Sequence, residues 1–186
     1  VQEVARLHVV VAHQPEQGGA VTLPVVLAQS DGRIRLTQAG NNDLVMRDGV
    51  TLTAGEIMLV GGNITIGRDA MLSTVGQGTG FIDTASTGLA YEAWATALAL
   101  SNGQADFITS SNGGAGTITV SEGASLYGEN TLAFATKGQV SLDDGAHFGA
   151  RRISLAVNSL NIGSAEAIAA AGSPAGTVFD QRLFDL

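Results

Sequence analysis

The chain has 186 residues, a formal net charge of −8 and no cysteine. Its nine Lys and Arg residues are scattered, which argues against the clustered basic surface that nucleic acid or an anionic membrane requires; the missing thiols exclude a disulfide framework and a thiolate metal site. Glycine at 25 residues, three prolines and an apolar fraction of 45% suit a long thin core better than a helical bundle or a disordered segment.

In chain order, residues 1–43 come first and carry no clear repeat. Leu7 to Val11, Val21 to Ala28 and Ile34 to Leu36 read as strands, the first two separated by the polar turn Gln14 to Gly19. Pro24 lacks a ladder donor, so the second run belongs at a sheet edge or starts a strand there. The segment is expected to form an irregular first coil or N-terminal strands. Because the sequence opens Val1-Gln-Glu without Met or a signal peptide, it reads as a piece of a longer chain. Its longest apolar run is far short of a membrane span.

Residues 44–168 carry a repeat. Ile118-Thr-Val120-Ser-Glu-Gly123-Ala-Ser-Leu126 recurs as Val140-Ser-Leu142-Asp-Asp-Gly145-Ala-His-Phe148, and more loosely as Leu160-Asn-Ile162-Gly-Ser-Ala165-Glu-Ala-Ile168. The template is apolar at offsets 0, 2 and 8 and small at offset 5. Leu44, Met46, Gly49 and Leu52 fit it, as do Ile64, Ile66 and Leu72 with Asp69 in the small-residue place. Units therefore start at 44, 64, 118, 140 and 160, with one long gap of 54 residues between the second and third. Offsets 0 and 2 face one side of a strand, a glycine then bends the chain, and offset 8 returns to the interior. A second alternating run follows near offset 13: Ile57-Met-Leu59, Leu132-Ala-Phe134, and Ile153 to Val157.

Two or three strands per coil of 20 to 22 residues predict an all-β fold, a parallel β-helix whose coils stack at the spacing of neighbouring strands. A single coil hides about five apolar side chains at roughly 1.5 to 3 kcal/mol each. Ordering its backbone costs about 1 to 2 kcal/mol per residue, so stability has to come from stacking. Ile118, Val120, Leu126, Val140, Leu142, Phe148, Leu160 and Ile162 are expected to line one interior.

The insertion around residues 73–116 interrupts the repeat, and the 54 residues from the second unit to the third could hold two coils plus an insertion of about a dozen residues. Leu89, Ala93, Trp94, Ala97 and Leu98 share a helical face, whereas Leu98 and Leu100 also suit a strand. Tyr91 and Trp94 are candidate partner contacts, because solenoids place specific contacts on segments that leave the repeat and aromatic rings make rigid anchors; packing of both rings on neighbouring coils is the structural alternative. Residues 169–186 are a C-terminal extension or the start of the next coil.

The chemistry-bearing motifs are sparse. Gly76-Gln-Gly78-Thr-Gly80 lacks the spacing and the Lys of a phosphate loop, and no GxSxG elbow occurs. His8, His13 and His147 have no companions at metal-ligand spacing. Asn63-Ile-Thr65 is a glycosylation sequon that leads into a strand. Register places offset 4 of successive coils in columns, pairing Asp48 with Arg68 and setting Glu122 above Asp144 beside Asp143. The first column predicts a surface salt bridge; the second crowds like charges, which splay apart in water or gather a calcium ion. No catalytic residue and no cofactor is assigned.

Asn42 to Leu52, Asn63-Ile-Thr-Ile-Gly67, and Gly145 to Leu155 followed by Leu160-Asn-Ile-Gly163 resemble the repeats of filamentous-haemagglutinin-like exoproteins of Gram-negative two-partner secretion systems. The likeness covers about residues 40–165. It implies a right-handed parallel β-helix in a long secreted or surface-attached adhesin, passed unfolded through an outer-membrane transporter, with a host-cell surface, a glycan or other bacterial cells as partner. The function it implies is non-enzymatic, a spacer and contact surface. Alternative functions on the same fold are a pectin-lyase-like carbohydrate-active enzyme and a tail-spike or autotransporter passenger segment. The enzyme would need a basic residue in register with its acids, and the column of Glu122 and Asp144 has none.

Overall fold

A computed structural model describes residues 25–30, 33–38, 42–75, 96–103, 115–172 and 174–180. It is a β-solenoid of about five turns. Each regular coil contributes three strands, as the repeat predicts at its upper count. The first strands are β3 (Leu44–Met46), β6 (Ile64–Ile66), β9 (Ile118–Val120) and β12 (Val140–Leu142), paired in parallel with Leu44, Ile64, Ile118 and Val140 in one register row. The second strands are β4 (Thr51–Ala54), β7 (Met71–Thr74), β10 (Ser125–Tyr127) and β13 (His147–Gly149), also parallel, with Leu52, Leu72, Leu126 and Phe148 aligned.

The third strands form a six-stranded sheet in the order β1 (Val25–Ser30), β2 (Arg33–Gln38), β5 (Glu56–Gly61), β8 (Thr96–Ser101), β11 (Thr131–Thr136) and β14 (Arg152–Val157). The segment ahead of the repeats thus supplies a third strand, β2, parallel to β5, with β1 folded back antiparallel on its edge. β1 starts at Val25 and sits at the edge of the sheet, the place expected for a run that contains a proline.

The three sheets enclose a core in which the residues at offsets 0, 2 and 8 meet. Ile64, Ile66, Leu72, Ile118, Val120 and Leu126 are fully buried, and the inward positions of the third sheet are filled by Ile57, Leu59, Leu98, Leu100, Leu132 and Phe134. The strands β5, β8 and β11 are buried on both faces: Met58, Val60, Ala97, Ala99, Ala133 and Ala135, which point away from the core, are as inaccessible as their neighbours. Such strands read as unbroken apolar runs, as Glu56–Gly61 and Thr96–Ser101 nearly do.

The long gap does not contain a further coil. β6 pairs directly with β9, and β7 with β10, so the second coil is enlarged and no coil is added. Within that coil the strand reading of Leu98 and Leu100 wins over the helical one. Unexpectedly, β8 runs backwards: it is antiparallel to both neighbours, with Leu98 opposite Leu59 on one side and Phe134 on the other. β8 therefore starts opposite Gly61 and ends opposite Glu56. In ordinary coils the second and third strands are joined by a short corner, Gly55 alone between β4 and β5 and residues 128–130 between β10 and β11.

The fifth unit also departs from expectation. β15 (Leu160–Gly163) leads into the short helix α1 (Ala165–Ala170), whose N-cap Ser164 accepts from the Ala167 N–H, and the chain returns as β16 (Thr177–Asp180). β15 and β16 pair in parallel with each other. Leu160 and Ile162, expected inside, are 40% and 68% exposed; Leu142 is half-buried against the core. Ile168 rides on the helix, half-buried, and does not return to the interior as offset 8 does elsewhere.

Candidate functional site

The register columns form, but their contacts differ from those the charges suggest. Asp48 does lie against Arg68, yet its carboxylate accepts the backbone N–H of Arg68 at 2.9 Å. The predicted ion pair is thus a coil-to-coil cap, because the carboxylate reaches the next turn's main chain before its side chain. Asn63 makes the same kind of link in both directions, donating its side-chain amide to Asp43 Oδ1 at 2.7 Å and accepting from the Thr117 N–H at 2.8 Å. The sequon asparagine is therefore a rung of the solenoid.

Glu122, Asp143 and Asp144 occupy stacked turns, held by Gly123 N–H to Gly145 O at 2.9 Å and Asp143 N–H to Val120 O at 2.9 Å. All three side chains are exposed. The Glu122 side chain lies across Gly145, with Cγ 2.8 Å from where a Cβ would stand. Among the described residues no three acidic or histidine side chains converge to hold a metal. The calcium arrangement considered for these carboxylates is not built: the column stacks, but its three side chains do not converge. His147 is exposed on β13, in register with Ser125. Tyr91 and Trp94, His8 and His13, and the Gly76 to Gly80 run lie outside the described residues.

What the structure offers to a partner is a pair of outward sheet faces. The outer side of β4, β7, β10 and β13 presents two rows, Thr51, Met71, Ser125 and His147, then Thr53, Ser73, Tyr127 and Gly149. Thr53 and Ser73 hydroxyls are 3.3 Å apart, one coil to the next. Tyr127 is 45% exposed, and its ring lies beside Gly149, with Cδ1 3.3 Å from the place of a Cβ. A glycine there leaves the ring room to settle on the sheet. The outer side of β3, β6, β9 and β12 carries Val45, Thr65, Thr119 and Ser141. The six-stranded sheet cannot serve in the same way along its middle strands, since their outward residues are buried.

Tyr127 was not singled out by sequence reasoning, although its position contains the signal. It follows the inward Leu126 and so must face out, where the equivalent residues of neighbouring coils are Ser73 and Gly149. No helix among the described residues is long and apolar enough to cross a membrane. Geometry and pairing define the class as a parallel β-solenoid. Comparisons of the sequence with protein-family models, with curated proteins and with solved structures give no match.

Proposed function

We propose that this chain is a non-enzymatic segment of a filamentous adhesin, exported to the bacterial surface or beyond, which acts as a rigid spacer and presents a contact face. The observation that carries the reading is the in-register stacking of three strands per coil, which makes a continuous interior with outward rows in which Thr and Ser hydroxyls alternate with Met71, Tyr127 and His147. A body of that kind extends by one strand spacing, about 4.8 Å, for each added coil. The resemblance of the repeats to filamentous-haemagglutinin-like exoproteins supports the same reading, and with it transport through an outer-membrane partner.

The contact face is the outer side of β4, β7, β10 and β13, where Tyr127 and Met71 supply apolar area among hydroxyls and His147. An exposed ring lying along a polar sheet suits a sugar face or a flat protein epitope. The test is binding of the purified chain to host cells, to other bacterial cells and to a glycan array, with Tyr127→Ser as the probe. Tyr127 is exposed, so the variant should keep its urea midpoint while binding falls. Unchanged binding by Tyr127→Ser, with loss only in Tyr91→Ala or Trp94→Ala, moves the contact to the insertion; no binding to any of these surfaces removes the adhesive half of the reading.

A further inference from the structure

The bonding that joins one coil to the next changes at the C-terminal end. In three successive coils the first N–H of the first strand is donated to the carbonyl just ahead of the following coil's first strand. These bonds are Leu44 N–H to Asn63 O at 2.8 Å, Ile64 N–H to Thr117 O at 2.9 Å, and Ile118 N–H to Gln139 O at 2.9 Å. By the same rule Val140 should donate to Ser159, ahead of β15. Instead Ser159 O accepts from Thr177 N–H at 3.0 Å. The Val140 N–H goes to the Thr177 hydroxyl, also at 3.0 Å. β16 therefore lies against β12 ahead of β15, although it follows both in sequence: it is paired in parallel with β15 and meets β12 through the Thr177 hydroxyl, without a strand ladder between the two.

Burial agrees with this order. Residues opposite each other in a parallel pair share a face, and the register sets Leu160 against Thr177 and Ile162 against Phe179. Thr177 and Phe179 are 0% and 1% exposed, whereas Leu160 and Ile162, at the inward positions of the repeat, are pushed one strand beyond the core. Phe179 closes the interior by meeting Phe148 edge to face, with ring centroids 6.4 Å apart.

The geometry points to a two-state cap in which β15 and β16 compete for one place on β12. In the closed state, the one observed, β16 is intercalated and Phe179 plugs the core. In the open state β15 stacks directly on β12, with Leu160 over Val140 and Ile162 over Leu142, and β16 moves to the far edge of β15. The open order restores the rule of the earlier coils by returning Leu160 and Ile162 to the core row, which Thr177 and Phe179 hold in the closed order. This inference stands on the solenoid alone and does not depend on the adhesive reading.

The chain has no cysteine, so engineered disulfides report the strand order without interference. Equivalent Cα atoms lie about 4.8 Å apart on adjacent strands, within disulfide reach, and about 10 Å apart across an intervening strand, outside it. Ser141, Asn161 and Val178 alternate with inward residues and face out. Ser141 and Val178 directly follow the two residues joined by the Val140 to Thr177 bond, so S141C/V178C reports the closed order, and S141C/N161C reports the open one. In the full chain the first pair should oxidise and the second should not. Adding Phe179→Asp, whose carboxylate cannot be seated in the core, should transfer the yield to S141C/N161C while the strand circular dichroism remains. Adding Ile162→Asp as well should abolish that second disulfide. If Phe179→Asp lowers S141C/V178C without raising S141C/N161C, the cap merely detaches and the proposal is wrong. If the Asp variant loses the strand signal, Phe179→Ala takes its place, and the same two yields decide for or against the exchange.

Discussion

At the scale of single residues, the turn after the first strand has one left-handed position in the first three coils. Gly49, Asp69 and Gly123 hold it in successive coils, with φ of 69°, 54° and 74°. Glycine adopts that conformation freely, and Asp is among the few other residues that tolerate it. Asp69 therefore fits the repeat where its side chain did not suggest it. Asp69→Gly should change stability by less than about 1 kcal/mol, whereas Asp69→Ala should cost about 1 to 2 kcal/mol, read from urea midpoints. Gly123→Ala should lose at least as much as Asp69→Ala, because its Cβ would also collide with the Asp69 carboxylate. The opposite ranking would mean that backbone conformation does not control this turn.

A different constraint holds at the corner entering the first strands. A Cβ on Gly116 would overlap the Gly62 carbonyl oxygen, and one on Gly138 would meet the Ala115 and Gly116 carbonyls. Here the limit is backbone packed on backbone, which no side-chain adjustment relieves. Among the described glycines Gly116→Ala should thus be the most damaging substitution, with loss of more than about 4 kcal/mol or failure to fold. Recovery of soluble protein and its strand signal give the answer.

At the scale of elements, β8 and β14 make a useful contrast. Leu98 is fully buried in the middle of the six-stranded sheet, between Leu59 and Phe134. Leu155 faces the same interior from β14, at the last position in the sheet, and is half-buried. Leu98→Ala should cost about 2 to 5 kcal/mol, as for a fully enclosed leucine, and Leu155→Ala clearly less. The reversed strand has a second anchor, since the Thr96 hydroxyl donates to the Gly62 carbonyl at 2.8 Å. Equal losses at the two leucines would indicate that β8 is peripheral to the cooperative unit.

At the scale of the whole molecule, the ends decide behaviour in solution. Open strand edges invite association, and each end of this solenoid carries a strand outside the regular repeat. β1 lies antiparallel along β2 at one end of the six-stranded sheet, and β16 places Phe179 over Phe148 at the other end of the core. A fragment of residues 44–168 lacks both. It should associate or precipitate at concentrations at which the full chain sediments as a smaller species; sedimentation velocity on the two makes the comparison. A monodisperse fragment would show that these strands do not act as caps.

Much of this architecture was determined by local pattern. Alternation of inward and outward residues, a turn glycine and a return to the core repeat every 20 to 22 residues, and each coil needs only its neighbour to satisfy that pattern. Hence the stacked register of Leu44 with Ile64, or Leu126 with Phe148, was legible in the sequence, whereas the direct stacking of Ile64 on Ile118 was not. Three further features were decided only in the tertiary structure. The direction of β8 is invisible to an alternating pattern, because an apolar six-residue strand such as Thr96–Ser101 satisfies the same core when reversed. The exchange of β16 for β15 turns on which of two suitable strands fills one place, a competition between segments separated in sequence. The charged columns stack as their spacing requires, but exposed carboxylates choose among water, side chains and backbone N–H groups by small energy differences, and Asp48 takes the Arg68 main chain. Spacing set which residues lie side by side; the packed molecule set which of them touch.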